Sequence, residues 1–210
     1  MYNQTYENQT ITQQLIDNQG VLVSSLNFIN CHQIDPHLVI KQDVRICRGT
    51  LKHVYFGSIR TEDQLPQLVQ IWGANIESIE CDNYTNLVAN CFDDDAPDGK
   101  AIQHAECHID GMIINAKASI HNTAIEHLIV KEYGNVQIDA PIGEGYLKKA
   151  LVHGTLHLNG TVPCEQIDVA PGGRVRIWNI DHATDVKVRG LVRDCYIKQD
   201  ENDRSFWYYG

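Results

Sequence analysis

The second half of the chain repeats one order of apolar and polar positions. Five segments each contain an aliphatic residue, a short polar spacer, a glycine, one further residue and another aliphatic residue. They are 109–113, 130–136, 152–156, 169–175 and 188–192. Their glycines, at 111, 134, 154, 173 and 190, are separated by 23, 20, 19 and 17 residues. This spacing predicts a stacked structural repeat of roughly twenty residues.

Short runs beside the glycines alternate strictly between apolar and polar residues. Examples are Val136-Gln-Ile138, Leu156-His-Leu158 and Val175-Arg-Ile177. Period two predicts strands that point one side chain inward and the next outward. Strands of about four residues are too short to be stable alone, so we expect them to stack into a continuous aliphatic core. The glycine is expected at a tight corner between two strands of one turn.

The spacer before the glycine has one, three, one, three and one residues in the five segments, which indicates two types of turn in alternation. An antiparallel sandwich would also give alternating strands, but it usually spaces them by about 8–12 residues and has no reason to alternate the spacers. We therefore predict an all-β protein, a parallel β-helix (β-solenoid) of seven to nine turns.

The first half of the chain is less regular. Residues 1–20 are rich in Asn, Gln and Thr and are predicted to be flexible, with a helical turn near 12–17. Strand signals begin at Val21, so the solenoid is predicted over 21–198, with regular turns from about 105. A small separate N-terminal cap is the alternative. Insertions are expected at 60–70, as a short helix or a loop leading to a strand, and at the acidic loop 92–100.

Residues 199–210 contain a polar break followed by an aromatic tail, Phe206-Trp-Tyr-Tyr209. The last turn of a solenoid presents an unpaired strand edge that needs a cover. The tail is expected either to fold back as that cap or to contact another molecule.

Composition narrows the class of protein. Hydrophobic residues are 43% and charged residues 21%, and the net charge is −10, which argues against broad binding to nucleic acid or anionic membranes. The first residues lack the basic and apolar regions of a secretory signal, and no apolar run has the length of a transmembrane helix. The seven cysteines are dispersed without a CxxC pair, which favours reduced thiols and a cytoplasmic location.

Few residues form a recognisable chemical site. His104, Cys107 and His108 have ligand chemistry, but a strand places Cys107 and His108 on opposite faces, so zinc binding is not expected. The aspartates at 93, 94, 95 and 98 lack the spacing of a calcium loop. Neither a catalytic residue nor a metal ligand nor a cofactor is assigned.

Two weaker surface features remain. The outward histidines His153, His157 and His182 are expected to form part of a row on neighbouring turns, which is a solvated face by default and otherwise a strip that binds a ligand. Asp168, Asp181 and Asp185 are the acidic residues available to an enzyme that cleaves a polysaccharide.

Segments 150–156, 165–175 and 185–192 resemble the bactofilin family, the bacterial polymer-forming cytoskeletal β-helices. The resemblance covers about residues 105–198. It implies a right-handed β-helix of triangular section, no catalysis, and end-to-end assembly into filaments, often at a membrane surface. The expected function is therefore a non-enzymatic structural protein that self-assembles through the ends of its β-helix. The alternatives are a β-helix enzyme or binding protein acting on a polysaccharide, and a secreted bacterial protein that binds another protein through a flank.

Overall fold

The computed structural model describes residues 2–18, 23–57, 65–89, 107–139, 145–159, 162–178, 196–200 and 205–209. These residues form one short helix, α1 (Gln13–Asp17), and a series of strands. The strands are β1 Tyr2–Glu7, β2 Thr10–Ile11, β3 Val23–Gln33, β4 His37–Ile40, β5 Asp43–Phe56, β6 Gln67–Trp72, β7 Asn75–Cys81, β8 Thr85–Ala89, β9 Cys107–Ile114, β10 Lys117–Ile120, β11 Thr123–Val130, β12 Asn135–Asp139, β13 Tyr146–Val152, β14 Thr155–Asn159, β15 Cys164–Val169, β16 Arg174–Trp178, β17 Tyr196–Asp200 and β18 Ser205–Tyr209.

The strands stack in parallel as a β-solenoid of about seven turns, which confirms the predicted fold class. One ladder runs through β1, β3, β5, β6, β8, β10, β12, β14 and β16. A second ladder runs through β5, β7, β9, β11, β13 and β15. Each strand therefore pairs with the strand one turn away.

The longer strands bend, so each turn has three faces. In β11 the buried residues Ile125 and Leu128 are separated by Glu126 and His127, which both point outward. The register between β11 and β13 omits Glu126 at the same point. We call the ladder of β1, β6, β8, β10, β12, β14 and β16 face 1, together with the first parts of β3 (23–29) and β5 (43–47). The rest of each long strand is face 2 before the bend and face 3 after it, and β4 also belongs to face 3.

Inward side chains form continuous columns because equivalent residues of successive turns are paired directly. One column on face 1 is almost wholly aliphatic, and each member is less than 5% exposed. It contains Phe28, Ile46, Ile71, Ala89, Ile120, Ile138, Leu158 and Ile177. Burial of each large aliphatic side chain contributes about 1.5–3 kcal/mol, so the columns supply the main stabilising term of the fold.

The predicted alternation of spacers appears at the corner between face 3 and face 1. The loops there are 115–116, 131–134, 153–154 and 170–173, with two, four, two and four residues. In both four-residue loops the last glycine donates its N–H to the first residue, Gly134 to Lys131 and Gly173 to Ala170. The longer loop is therefore a β-turn added to the same corner.

The prediction that each repeated glycine marks this corner holds for Gly134, Gly154 and Gly173. It is wrong for Gly111, which lies inside β9 at the bend between faces 2 and 3. Ala116 stands in the corner of that turn, where its carbonyl accepts from Asn135 as the Gly134 carbonyl does from Thr155. Gly190 lies outside the described residues.

The corner between face 1 and face 2 uses a different device. Six described residues there have a positive φ, three of them asparagine: Asn8 (52°), Asn30 (50°), Arg48 (61°), Gly49 (96°), Gly73 (55°) and Asn122 (38°). Asparagine is the commonest non-glycine residue in this left-handed region. The Asn30 amide also donates to the Asn8 side chain at 2.6 Å, so the corner forms a short asparagine ladder.

The N-terminal boundary predicted at residue 21 is wrong. β1 pairs in parallel with β3, and Tyr6 is buried against Phe28 with ring centroids 5.8 Å apart. Residues 2–11 thus belong to the first turn rather than to a flexible segment; their polar composition concealed this because Gln4 occupies an inward position. The helical turn predicted near 12–17 is confirmed as α1, with Thr12 accepting from the Leu15 N–H at its start.

The C-terminal tail folds back onto the solenoid, which is one of the two placements expected for it. β18 pairs antiparallel with β16 through residues 206–209 and 174–177, and it also pairs antiparallel with β17. The edge of β16 is therefore covered by the chain's own tail. An insertion was expected at 60–70, and β6 begins within it at Gln67. The other expected insertion, 92–100, lies outside the described residues.

Candidate functional site

The histidine and cysteine residues singled out as possible zinc ligands do not converge. Cys107 is buried and directs its Sγ to the Ala74 carbonyl at 3.2 Å. His108 is half-exposed and contacts Asp110 at 2.8 Å on the outer surface. Among the described residues no group of three His, Cys, Asp or Glu is arranged to hold a metal ion. His104 and the aspartates at 93, 94, 95 and 98 lie outside those residues.

The predicted row of histidines on neighbouring turns is wrong for the two members that are described. His153 lies in the corner loop before β14 and His157 lies within β14, so both belong to one turn. His157 pairs with Gln137 on one side and Arg176 on the other. Burial and the Arg176 charge lower the pKa of His157. His182 lies outside the described residues.

The acidic set proposed for cleavage of a polysaccharide is described at one position. Asp168 is partly buried on face 3 and accepts from the Gln166 amide at 2.9 Å. Asp181 and Asp185 lie outside the described residues. A glycosidase uses two carboxylates across the scissile bond, and Asp168 alone does not supply that chemistry.

A polar network on face 1 contains the residue types of a serine hydrolase. Ser119 Oγ lies 3.2 Å from His121 Nε2, and His121 Nδ1 lies 3.0 Å from Asp139 Oδ2. The amides of Gln137 and Asn159 both donate to the same carboxylate, at 3.0 and 2.8 Å. These amides are thus directed at Asp139 rather than at the position of an oxyanion, which hydrolysis also requires. The network serves to connect three successive turns.

The strongest candidate for a binding site is a groove on face 3. It has a volume of about 370 Å³, and its outward side chains come from three neighbouring strands, β4, β5 and β7. His37 and Val39 come from β4, His53 and Tyr55 from β5, and Ser78 and Glu80 from β7. The register places them in two rows: 37, 53 and 78 in one, and 39, 55 and 80 in the other. We call this the face 3 groove.

The first row of the groove is held by direct contacts between its side chains. The rings of His37 and His53 stack with centroids 5.1 Å apart. His53 Nδ1 and Ser78 Oγ share a hydrogen bond of 2.6 Å, and His53 Nε2 lies 3.7 Å from a Glu77 oxygen. His53 and Glu77 are both about half exposed, so this pair lies open to solvent.

The second row exposes apolar surface. Val39 is 37% and Tyr55 38% exposed, although outward positions of a solenoid are normally polar. A Cβ on Gly57 would lie 2.2 Å from Tyr55 Cε1, so the glycine leaves the space that the tyrosine ring occupies. None of these residues was predicted from the sequence as part of a site. An aliphatic and an aromatic residue at outward strand positions were the available signal.

The comparisons with known proteins found no match, so a function can be proposed only from the fold and the groove. The chain matches no protein-family model, no curated protein and no solved structure. α1 has five residues, and no helix of the described part of the chain has the length and apolar character needed to cross a membrane. Fold and groove together define the molecule as a β-solenoid protein with a groove on one flank.

Proposed function

We propose that the protein is a non-enzymatic scaffold, similar in kind to the bactofilins, that associates with a second copy of itself through the N-terminal end of its solenoid. The observation that carries this proposal is the edge of β1. β1 pairs with β3 on one side, and no strand of the described residues pairs with its other side. An uncovered edge strand is a template for pairing with another chain.

The interior supports a structural rather than a catalytic role. Continuous side-chain columns fill the solenoid, and its buried polar side chains serve the backbone. Gln67, for example, donates to the carbonyls of Ile40 and Gln42 at 3.0 and 2.6 Å. Such a side chain satisfies the hydrogen-bonding groups of the backbone and is not available to a substrate.

Two other edges of the described solenoid are covered. On face 3 the Gln13 side chain from α1 accepts from the Val39 N–H at 2.7 Å and donates to the Val39 carbonyl at 3.2 Å. It occupies both groups of Val39 that would otherwise pair with another strand. At the C-terminal end β18 covers β16.

β1 is better suited to pairing than β17, the outermost strand at the other end. β17 contains Lys198 and Asp200, whereas β1 has Glu7 as its only charged residue. Charged residues on an edge strand oppose pairing. β1 is also firmly seated, because Tyr6 is buried and Asn27 donates to Thr5 at 3.2 Å. Two β1 strands paired antiparallel about a twofold axis would give a closed dimer.

A substitution at Asn3 tests the proposal. The Asn8 N–H donates to Ile29, and N–H groups along a strand alternate sides, so the Asn3 N–H points away from β3. Asn3→Pro removes that outward donor and keeps an extended backbone. We expect the wild-type protein to approach twice its monomer mass with rising concentration in sedimentation velocity, and Asn3→Pro to remain monomeric.

Asn3→Thr is the matched control, because it keeps the N–H and favours a strand. It should dimerise as the wild type does, and at a concentration low enough for the wild type to be monomeric both variants should give its thermal unfolding curve. A wild-type protein that stays monomeric at high concentration, or a dimer that survives Asn3→Pro, would overturn the proposal.

We place this scaffold in the cytoplasm. Cys31, Cys47, Cys81, Cys107 and Cys164 are all free thiols, and all but Cys164 are buried. Free thiols used as small core residues fit a reducing compartment.

A further inference from the structure

The face 3 groove combines an apolar floor with an acidic rim. Val39 and Tyr55 form the exposed apolar part, and Glu80 follows Tyr55 in the same row. Glu77 lies beside His53 at the edge of the groove. Burial raises the pKa of Tyr55, and the nearby charges of Asp82 and Glu80 raise it further.

This combination suits a cation with an aliphatic stem. A guanidinium or ammonium group stacks on an aromatic face and pairs with a carboxylate, while its methylene groups cover apolar surface. The groove does not suit a metal ion, because no three His, Cys, Asp or Glu side chains of the described residues are arranged to hold one. The net charge of −10 adds attraction for a basic partner over a longer range.

The apolar row continues beyond the groove along face 3. The position of Tyr55 and Glu80 is occupied in the next three turns by Ile113, Ile129 and Leu151. Leu151 is 37% exposed and the two isoleucines are partly exposed. Three aliphatic side chains therefore point outward in successive turns, in line with the groove. We call these three residues the face 3 strip.

The distance between successive side chains of this strip favours one secondary structure in a bound partner. Successive turns of a solenoid are about 4.8 Å apart, and successive turns of an α-helix are about 5.4 Å apart. A helix lying along the solenoid axis would thus place about one side chain against each turn. An extended peptide repeats its side chains on one face every ~6.6 Å and would lose register within a few turns.

We propose that the face 3 groove and strip bind a basic amphipathic helix of a partner protein, with an arginine or lysine in the groove and an aliphatic face on the strip. The proposal rests on the scaffold function above and names the kind of partner that the scaffold would hold. The cation lies over Tyr55 and pairs with Glu80. The aliphatic side chains pack on Ile113, Ile129 and Leu151.

A labelled synthetic helix tests this directly. The probe is an 18-residue peptide, about five helical turns, of Ala, Leu and Arg, with leucines on one face and arginines at one end. Fluorescence anisotropy measures its binding to the full chain. We expect Glu80→Lys to weaken binding by about tenfold or more, because it replaces the paired carboxylate with a repelling charge. Tyr55→Ala should weaken it as well, through loss of the stacking surface.

Glu132→Lys is the matched control. Glu132 is exposed in a corner loop outside the groove, so this variant makes the same change in net charge. It should change the affinity by less than about twofold. If Glu132→Lys weakens binding as much as Glu80→Lys, or if the wild type does not bind the peptide, the proposal is wrong.

Two further measurements separate this proposal from the self-association of β1. Asn3→Pro should bind the peptide as the wild type does, because the groove lies on another face. A second peptide of the same length and charge, with prolines in place of some alanines to prevent a helix, should bind more weakly. Equal binding of the two peptides would contradict a helical partner.

Discussion

At the scale of single residues, the glycines of the repeat have two different roles. A Cβ on Gly154 would lie 2.2 Å from the Lys131 carbonyl oxygen and 2.4 Å from that of Gly134. Both obstacles are backbone atoms of the neighbouring turn, which cannot rotate away. A Cβ on Gly111 would meet nothing closer than the Ser78 Cβ at 3.5 Å, an ordinary contact.

We therefore expect Gly154→Ala to destabilise the fold by at least about 2 kcal/mol, because the corner must open to admit the methyl group. Gly111→Ala should stay within about 0.5 kcal/mol of the wild type. Urea unfolding followed by circular dichroism gives both free energies of unfolding. Equal losses in the two variants would show that Gly154 is not a packing requirement of the corner.

Much of this residue pattern could be predicted from the sequence, and the reasons for the failures are physical. Apolar and polar residues alternate in 136–138 and 156–158, and this alternation matches the alternation of buried and outward side chains. The strands and their inward positions could therefore be predicted from it. Gly111 was misplaced because a glycine in a strand and a glycine in a corner look alike in sequence. The asparagine corner was missed because Asn8 and Asn30 meet only when the turns stack.

At the scale of elements, the N-terminal segment shows how a polar sequence can form part of the core structure. β1 has an inward glutamine and a buried tyrosine, and its neighbour β3 supplies most of the apolar contact. Composition alone assigned this segment to a flexible region. The groove escaped prediction for a related reason: His37, His53 and Ser78 are distant in sequence and become neighbours only through the register of β4, β5 and β7.

The side chain of Gln13 substitutes for a strand at the edge of β4. Replacing it with alanine removes both hydrogen bonds to Val39, so we expect a loss of about 1–2 kcal/mol. Hydrogen exchange at the Val39 amide should become faster, since its acceptor is gone. Gln14 is exposed in the same helix, and Gln14→Ala should leave that exchange rate unchanged. If Gln13→Ala leaves the rate unchanged too, Gln13 is not the cap.

At the scale of the whole molecule, stacked turns predict that opening begins at the ends. Each turn of a solenoid contacts only its neighbours, so terminal turns are held by one interface and internal turns by two. Cys107 lies in β9, in an internal turn. Cys164 is the first residue of β15, in the last turn for which more than one face is described. The two thiols therefore sample an internal and a terminal position of one stack.

These two thiols have matched acidity but differ in exposure. Burial raises the pKa of Cys107 and of Cys164 to about 12. At pH 8 the reactive thiolate is then roughly one part in ten thousand for either residue, because the fraction falls tenfold for each pH unit below the pKa. Cys107 is fully buried, so its reaction with iodoacetamide requires opening of the turn, whereas Cys164 is partly exposed and differs from Cys107 in access as well as in position.

We expect Cys164 to be alkylated faster than Cys107 under native conditions, as measured by mass spectrometry of the separated peptides over time. Cys81, whose pKa burial also raises and which lies in internal β7, should react as slowly as Cys107. In urea the three rates should converge, because global unfolding exposes all turns together. Equal native rates would instead mean that the solenoid opens as one cooperative unit, with its terminal strand β18 holding the last turns as firmly as neighbouring turns hold the middle.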